Sequence, residues 1–152
     1  LRRNEIPTHR PRQHEGKHRL AFLPEHANDL WIGDAMHGPR VRVGDRRHKA
    51  YLLSVIDVAT RSVLGSEFRL SESAIEHEVI LKQTLQIHGR PRTYYVDRGA
   101  AYKSDSLRSI CADIGVELLH TETRDAEAKG TIERWHRTWR AEVGVELEGQ
   151  DY

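Results

Sequence analysis

Three acids stand where carboxylate chemistry would need them. Asp34 lies within the run Leu30-Trp31-Ile32-Gly33-Asp34-Ala35-Met36, and aspartate is disfavoured inside a strand unless it has a task there. Asp97 directly follows the β-rich run Thr93-Tyr94-Tyr95-Val96, at the edge where open α/β sheets hold their ligands. Glu133 falls inside the last helical stretch. If the first and fourth strands are neighbours, both aspartates meet at one edge, and a helix crossing it brings in the glutamate. Three carboxylates that close repel and raise one another's pKa values unless a divalent cation lies between them. Oxygen donors with water suit Mg²⁺ or Mn²⁺. The chain has 23 acids, so position alone leaves solvated surface groups as the other reading. Asp57 also ends an apolar strand, but Thr60 and Arg61 behind it make a turn, where Asp bonds to the backbone. We read it as structural.

These residues need a frame. Leu30 to Met36 is a short first strand, His37-Gly38-Pro39 a turn, and Arg40 to Lys49 an exposed polar connection. Tyr51 to Ile56 and Ser62 to Leu70 are β-rich runs joined by Asp57-Val58-Ala59-Thr60-Arg61, a hairpin. Ser73 with Glu76 reads as a capping box for a helix with Ile75, Val79 and Leu85 on its apolar face, ending at Gly89-Arg90-Pro91. Ser104 caps a second helix, whose stripe is Leu107, Ile110, Cys111 and Ile114, stopped by Gly115. Val116 to Leu119 is a fifth strand, and the last helix runs from about Glu127 to Val143. The order β-β-β-α-β-α-β-α predicts an α/β fold, a five-stranded mixed sheet flanked by helices on both faces.

The length, 152 residues, suits one domain with one sizeable core. The net charge of +1 hides an asymmetry: residues 1–20 carry six basic groups against two acids, and the remainder 18 against 21. Residues 1–28 hold three of the five prolines and no sustained apolar period, which predicts a basic extended arm or linker. Residues 29–145 form the body, and 146–152 trail it. The single cysteine, Cys111, excludes an intrachain disulfide and a Cys-pair zinc site, and its place on an apolar stripe argues against a nucleophile. No run approaches the ~18 apolar residues of a membrane span, and none is expected to contact a membrane. The chain starts at Leu1 rather than Met, so a longer parent protein is expected. His9, His14, His18, His26 and His37 cluster loosely; solvated arm residues and a metal site are both open, and His37 is read as a turn residue or one that approaches a ligand.

Four motifs recur in this order elsewhere: Trp31-Ile32-Gly33-Asp34, Tyr51 to Asp57 with Thr60-Arg61, Tyr95-Val96-Asp97-Arg98-Gly99 with Tyr102, and Lys129-Gly130-Thr131-Ile132-Glu133-Arg134. Over about residues 29–145 the chain resembles the catalytic core of bacterial insertion-sequence transposases and retroviral integrases, the Asp-Asp-Glu recombinases. The 35 residues between Asp97 and Glu133 match the spacing of the integrase branch. The resemblance implies a ribonuclease H-like fold, with Asp34, Asp97 and Glu133 as catalytic residues holding two Mg²⁺ or Mn²⁺ ions. It implies DNA strand cleavage and strand transfer on double-stranded DNA, the element ends and the target, by a homodimer or larger homo-oligomer. A bacterial cytoplasmic, nucleoid-associated protein is expected, with end-recognising domains upstream of Leu1. A hydrolysis-only nuclease and a catalytically impaired DNA-binding remnant are the alternatives.

Two departures bear on activity. Arg98 stands where the family usually has Asn, and Ala126 where a proline is frequent. Arg98 would contact a DNA phosphate or weaken metal binding. On the last helix, Lys129, Arg137 and Arg140 lie one turn before, one turn after and about two turns after Glu133. Cations there would hold the neighbouring phosphates, as in the family; a salt-bridged solvent face is the other reading. Trp135 and Trp139, with Ile132 and Val143, are expected to anchor a core or interface.

Overall fold

The middle of the chain is built on strands of alternating burial, with helices laid on both sides. The computed structural model describes residues 24–97, 99–120 and 126–144, with the side chains of 100, 101, 126–129 and 144 excepted. Most of the arm, residues 1–23, and the trailing segment lie outside the described residues. The strands are β1 (Leu30–Val43), β2 (Arg46–Asp57), β3 (Val63–Arg69), β4 (Thr93–Val96) and β5 (Glu117–His120). Helices α1 (Ala74–His88), α2 (Asp105–Asp113) and α3 (Ala126–Trp139) join them, with a 3₁₀ turn at Ala100–Lys103 and a π turn at Arg140–Gly144. The sheet order is β3-β2-β1-β4-β5; the first three strands pair antiparallel, and β4 is parallel to both β1 and β5. This is the expected five-stranded mixed sheet. No helix among the described residues is long and apolar enough to cross a membrane.

Alternation along β1 and β2 divides the core. Trp31, Leu53, Val55, Tyr94 and Val96 pack with Ile80, Leu81, Leu107 and Cys111 of α1 and α2. On the other face Ile32, Ile56 and Tyr95 meet Ile132, while Met36 and Leu52 meet Trp139. Trp139 and Ile132 are therefore core residues, as expected, but Val143 is exposed at the surface. Asp57 is structural: its carboxylate accepts from the Thr60 N–H and hydroxyl and from the Asn28 N–H.

Four expectations need correction. Arg40 to Lys49 is no polar connection: β1 runs on to Val43 and pairs with β2 down to Val43–Arg46. The turn is Gly44-Asp45, with Gly44 at φ 58°, a two-residue hairpin loop that calls for positive φ at its first position. His37-Gly38-Pro39 is a bulge, where the register shifts between His37 and Arg40. A proline is tolerated there because the bulge has no ladder bond for its missing N–H to make.

The capping box does not form. The Ser73 side chain makes no cap bond, and the Glu76 carboxylate reaches Arg69 at 3.4 Å instead of turning back to the helix start. Nor is the buried row of α1 the apolar one: His77, Ile80, Leu81 and Thr84 face the sheet, while Ile75 is 71% exposed and Val79 also lies at the surface. Thr84 satisfies its hydroxyl on the Ile80 carbonyl at 2.8 Å, and Gly65 of β3 leaves the space it occupies. Ser104 does cap α2, accepting from the Leu107 N–H at 3.1 Å.

Candidate functional site

Strand register brings the two aspartates to one edge. Parallel pairing of β1 with β4 runs from Leu30–Thr93 to Gly33–Val96, so Asp34 and Asp97 are each the first residue past the last pair. Both are half-buried. They share a neighbour in Tyr102, whose phenol is raised well above its ordinary pKa by burial first, then by Tyr94 and by Asp34 and Asp97. Its hydroxyl is buried without a hydrogen-bond partner among the described residues. Gly33 is where β1 must lack a side chain, because a Cβ there would overlap the Tyr94 hydroxyl.

Asp97 is held from its own loop. Its Oδ1 accepts the Gly99 N–H at 2.7 Å, and a Cβ at Gly99 would come within 2.8 Å of that oxygen. Gly99 thus serves by close approach. The Asp97 carbonyl lies 3.1 Å from Nδ1 of His120, on β5. His77 of α1 stacks at 4.2 Å against Tyr102; burial pushes its pKa down to about 4, opposed by the charge of Asp97.

Asp34 is approached from α3. It sits opposite Ser54 in the β1–β2 register, and the Ser54 hydroxyl receives the Trp135 indole N–H at 3.3 Å. One residue on, His136 Nδ1 lies 3.8 Å from Asp34 Oδ2. That distance fits an ion pair, but burial, with Arg140 second, pushes the His136 pKa down to about 4. The ring is therefore neutral at pH 7, and the contact is dipolar, too long for a hydrogen bond. Its Nε2 is buried and unpartnered among the described residues.

The remaining expected residues divide plainly. Glu133 and Arg137 are exposed on α3 and Arg140 is exposed at the start of the π turn that follows it, while Ile132, His136 and Trp139 are buried. The side chain of Lys129, and Arg98 altogether, lie outside the described residues. Among the described residues no group of three or more His, Cys, Asp or Glu side chains is close enough to hold a metal ion. The carboxylates at the strand ends suit a hard cation in type, but Glu133 is not drawn in with them. Cys111 is no nucleophile: burial pushes its thiol up to about 11. His77 and His136 were not singled out in the sequence, and Tyr102 only as part of the motif around Asp97. For His136 a signal existed, since Ile132, His136 and Trp139 fall at i, i+4 and i+7.

Residues 71–149, just over half of the chain, match the family described as the TnsB C-terminal domain. The chain belongs to that family. It is also 31% identical over 106 residues to "Putative transposase y4bF" of Sinorhizobium fredii, a match covering 62% of this chain and 22% of that relative. In three dimensions it is similar to a chain of the simian T-cell lymphotropic virus intasome, with a TM-score of 0.68 at 21% identity over 82% of this chain and 42% of that one. It is similar as well to the HTLV-2 integrase catalytic core domain, solved in complex with magnesium, with a TM-score of 0.63 at 20% identity over 83% and 74%. At such identities the likeness speaks for the fold, which is the ribonuclease H-like fold of integrase cores. The chain spans under a quarter of y4bF and less than half of the intasome chain. Within the TnsB family match lie Asp97 and Glu133; Asp34 precedes it.

Proposed function

We propose that this family member cuts and joins DNA, with Asp34, Asp97 and Glu133 as its catalytic carboxylates. The observation that carries the reading is the β1–β4 register, which sets two aspartates from distant parts of the chain at one sheet edge under α3. The magnesium of the HTLV-2 core and the name of the y4bF relative support it. Asp34, Asp97 and Glu133 would hold two Mg²⁺ or Mn²⁺ ions, which when bound polarise the scissile phosphate as Lewis acids. The side chains do the rest. Trp135 and His136 hold α3 against Asp34, Tyr102 walls the pair from the core, and Arg137 and Arg140 grip the phosphates either side of the reacting one. In cleavage, a water oxygen bonds to phosphorus as the bond to a DNA 3′-oxygen breaks. In transfer, the freed 3′-hydroxyl attacks a target phosphodiester, one strand is joined and a new 3′-hydroxyl leaves. No covalent protein intermediate is needed. The same reading carries a homodimer or larger assembly on paired ends, in the bacterial cytoplasm at the nucleoid.

The test is a strand-transfer assay on a labelled duplex that ends in the DNA flanking the encoding element, with Mg²⁺ or Mn²⁺. Joined products are expected, and Asp34→Asn or Asp97→Asn should lower their yield roughly a thousandfold. Cleavage without joining would make the protein a nuclease. DNA binding with neither would make it a non-enzymatic remnant.

A further inference from the structure

The β1–β2 hairpin continues past the edge that bears the aspartates. Pairing of β1 with β4 stops at Gly33, yet β1 and β2 run on together to the Gly44-Asp45 turn. Nine residues separate Asp34 from Val43, so at about 3.3 Å per residue the arm reaches on the order of 30 Å beyond the aspartate. In its outer half Arg40 is directly opposite Lys49, and Arg42 directly opposite Arg47. Opposed residues of an antiparallel pair point to the same face, as do residues two apart. Four cations therefore form one compact block, roughly 5 Å across the strands and 7 Å along them. All four are exposed.

Directly opposed like charges destabilise a hairpin, and here they come twice in succession, with Arg40 and Arg42 also engaged within the fold. The arm's opposite face is the one that packs: Val41 is buried, Ala50 is fully buried, and Gly38 makes room for the Phe68 ring, which stacks on Trp139. The cationic face is therefore held at a fixed orientation, with Lys49 lying 5.6 Å over the Tyr51 ring and Tyr51 edge-on to His37. The one acid of the arm, Asp45, is in the turn.

We propose that this face of the hairpin arm is a phosphate-backbone clamp for duplex DNA, distinct from the cations of α3. A ligand with closely spaced negative charges turns the repulsion of the block into attraction, and a duplex carries one charge per ~1.7 Å of axis. The arm leaves the sheet beside the aspartates; by register Arg47 and Lys49 continue the face of Tyr51 and Leu53, while Asp34 pairs with Ser54 on the other, so a duplex held there runs beside the aspartates' edge. Four cations this closely spaced match successive backbone phosphates rather than a single base edge, so the clamp binds DNA without regard to sequence. The inference rests on the reading that the chain acts on DNA, but it is separable from catalysis. Arg40 and Arg42 are also engaged within the fold, so Arg47 and Lys49 are the residues to vary.

The experiment measures affinity of the full chain for a fluorescent duplex of mixed sequence across a salt series. R47Q/K49Q should reduce the slope of log K against log salt by roughly 2, one phosphate contact per cation. K82Q/R108Q, which removes the same charge from exposed sites on α1 and α2, should leave the slope unchanged, and R47K/K49R should retain it. R47Q alone relieves one like-charge pair and should raise the melting temperature by about 1–3 °C while weakening DNA binding. Equal losses from both double variants would reduce the effect to net charge and overturn the clamp. So would an unchanged slope in R47Q/K49Q, with DNA affinity that matches wild type. If the slope falls as stated but no joined products form, the clamp stands and the catalytic reading fails; if products form and the slope is unchanged, the reverse holds.

Discussion

His77 and His136 show how far burial outweighs charge at the edge of this sheet. Each is pushed down to about 4 with desolvation as the leading cause, although His77 has the carboxylate of Asp97 in range to hold its proton. A neutral imidazole offers Tyr102 a flat partner without adding a cation beside the aspartates. The cost appears in acid. The folded pKa of His77 lies below the unfolded value of 6.5, so the unfolded chain takes up a proton that the folded chain refuses. Its contribution is complete above about pH 6.5 and is lost as pH falls from there towards 4, to the extent of a few kcal/mol. Thermal melts from pH 7 to pH 4 should show a falling midpoint, and His77→Phe should flatten that fall. An unchanged slope in the variant would show that His77 titrates normally. Tyr102, Gly99 and Gly33 act by shape at the same edge, and both glycines could be picked out by their places, Gly33 directly before Asp34 and Gly99 two residues past Asp97.

At the scale of elements, the two serine caps provide an internal comparison. Ser104 accepts from the Leu107 N–H, whereas Ser73 makes no side-chain cap bond. Ser104→Ala should therefore cost about 1 kcal/mol and Ser73→Ala a few tenths at most, read as denaturation midpoints of the two variants. Equal costs would contradict the structure. In sequence Ser73, with Glu76 three residues on, carried the fuller capping pattern, but the carboxylate that completes such a box is open to competition, here from Arg69. The hairpin was hidden in a similar way. Arg40-Val41-Arg42-Val43 alternates with the period of a strand, but His37-Gly38-Pro39 reads as a turn unless the bulge is foreseen. In α1 the buried row includes a histidine and a threonine, both satisfied by neighbours that hydropathy does not see.

For the whole molecule, the site is an assembly of distant segments. Asp34 comes from β1, Asp97 from the end of β4 and Glu133 from α3, with Glu133 outward. If these carboxylates take up metal, folding and binding are linked, since a ligand that binds only the native state stabilises it. Mn²⁺ at a hundred times its dissociation constant should add about 3 kcal/mol, seen as a higher melting temperature in wild type and none in Asp34→Asn/Asp97→Asn. A matching rise in the double variant would place the metal elsewhere. The integrase-core likeness concerns this frame, and the family match spans residues 71–149 of it, α3 included, while the hairpin arm lies outside that match.

By itself the sequence determined the order of strands and helices, the Ser104 cap, the structural role of Asp57 and the position of Asp34 inside one strand and of Asp97 just past the end of another. Each follows from local periods and turn chemistry, which act over a few residues. Tertiary structure alone decided that β1 and β4 pair in parallel, that α1 buries His77 and Thr84, that His136 meets Asp34 and that Glu133 stays outward. It also turned a polar stretch into a paired arm with four cations on one face. Those outcomes depend on partners far apart in the chain, whose packing and charge can override any local preference.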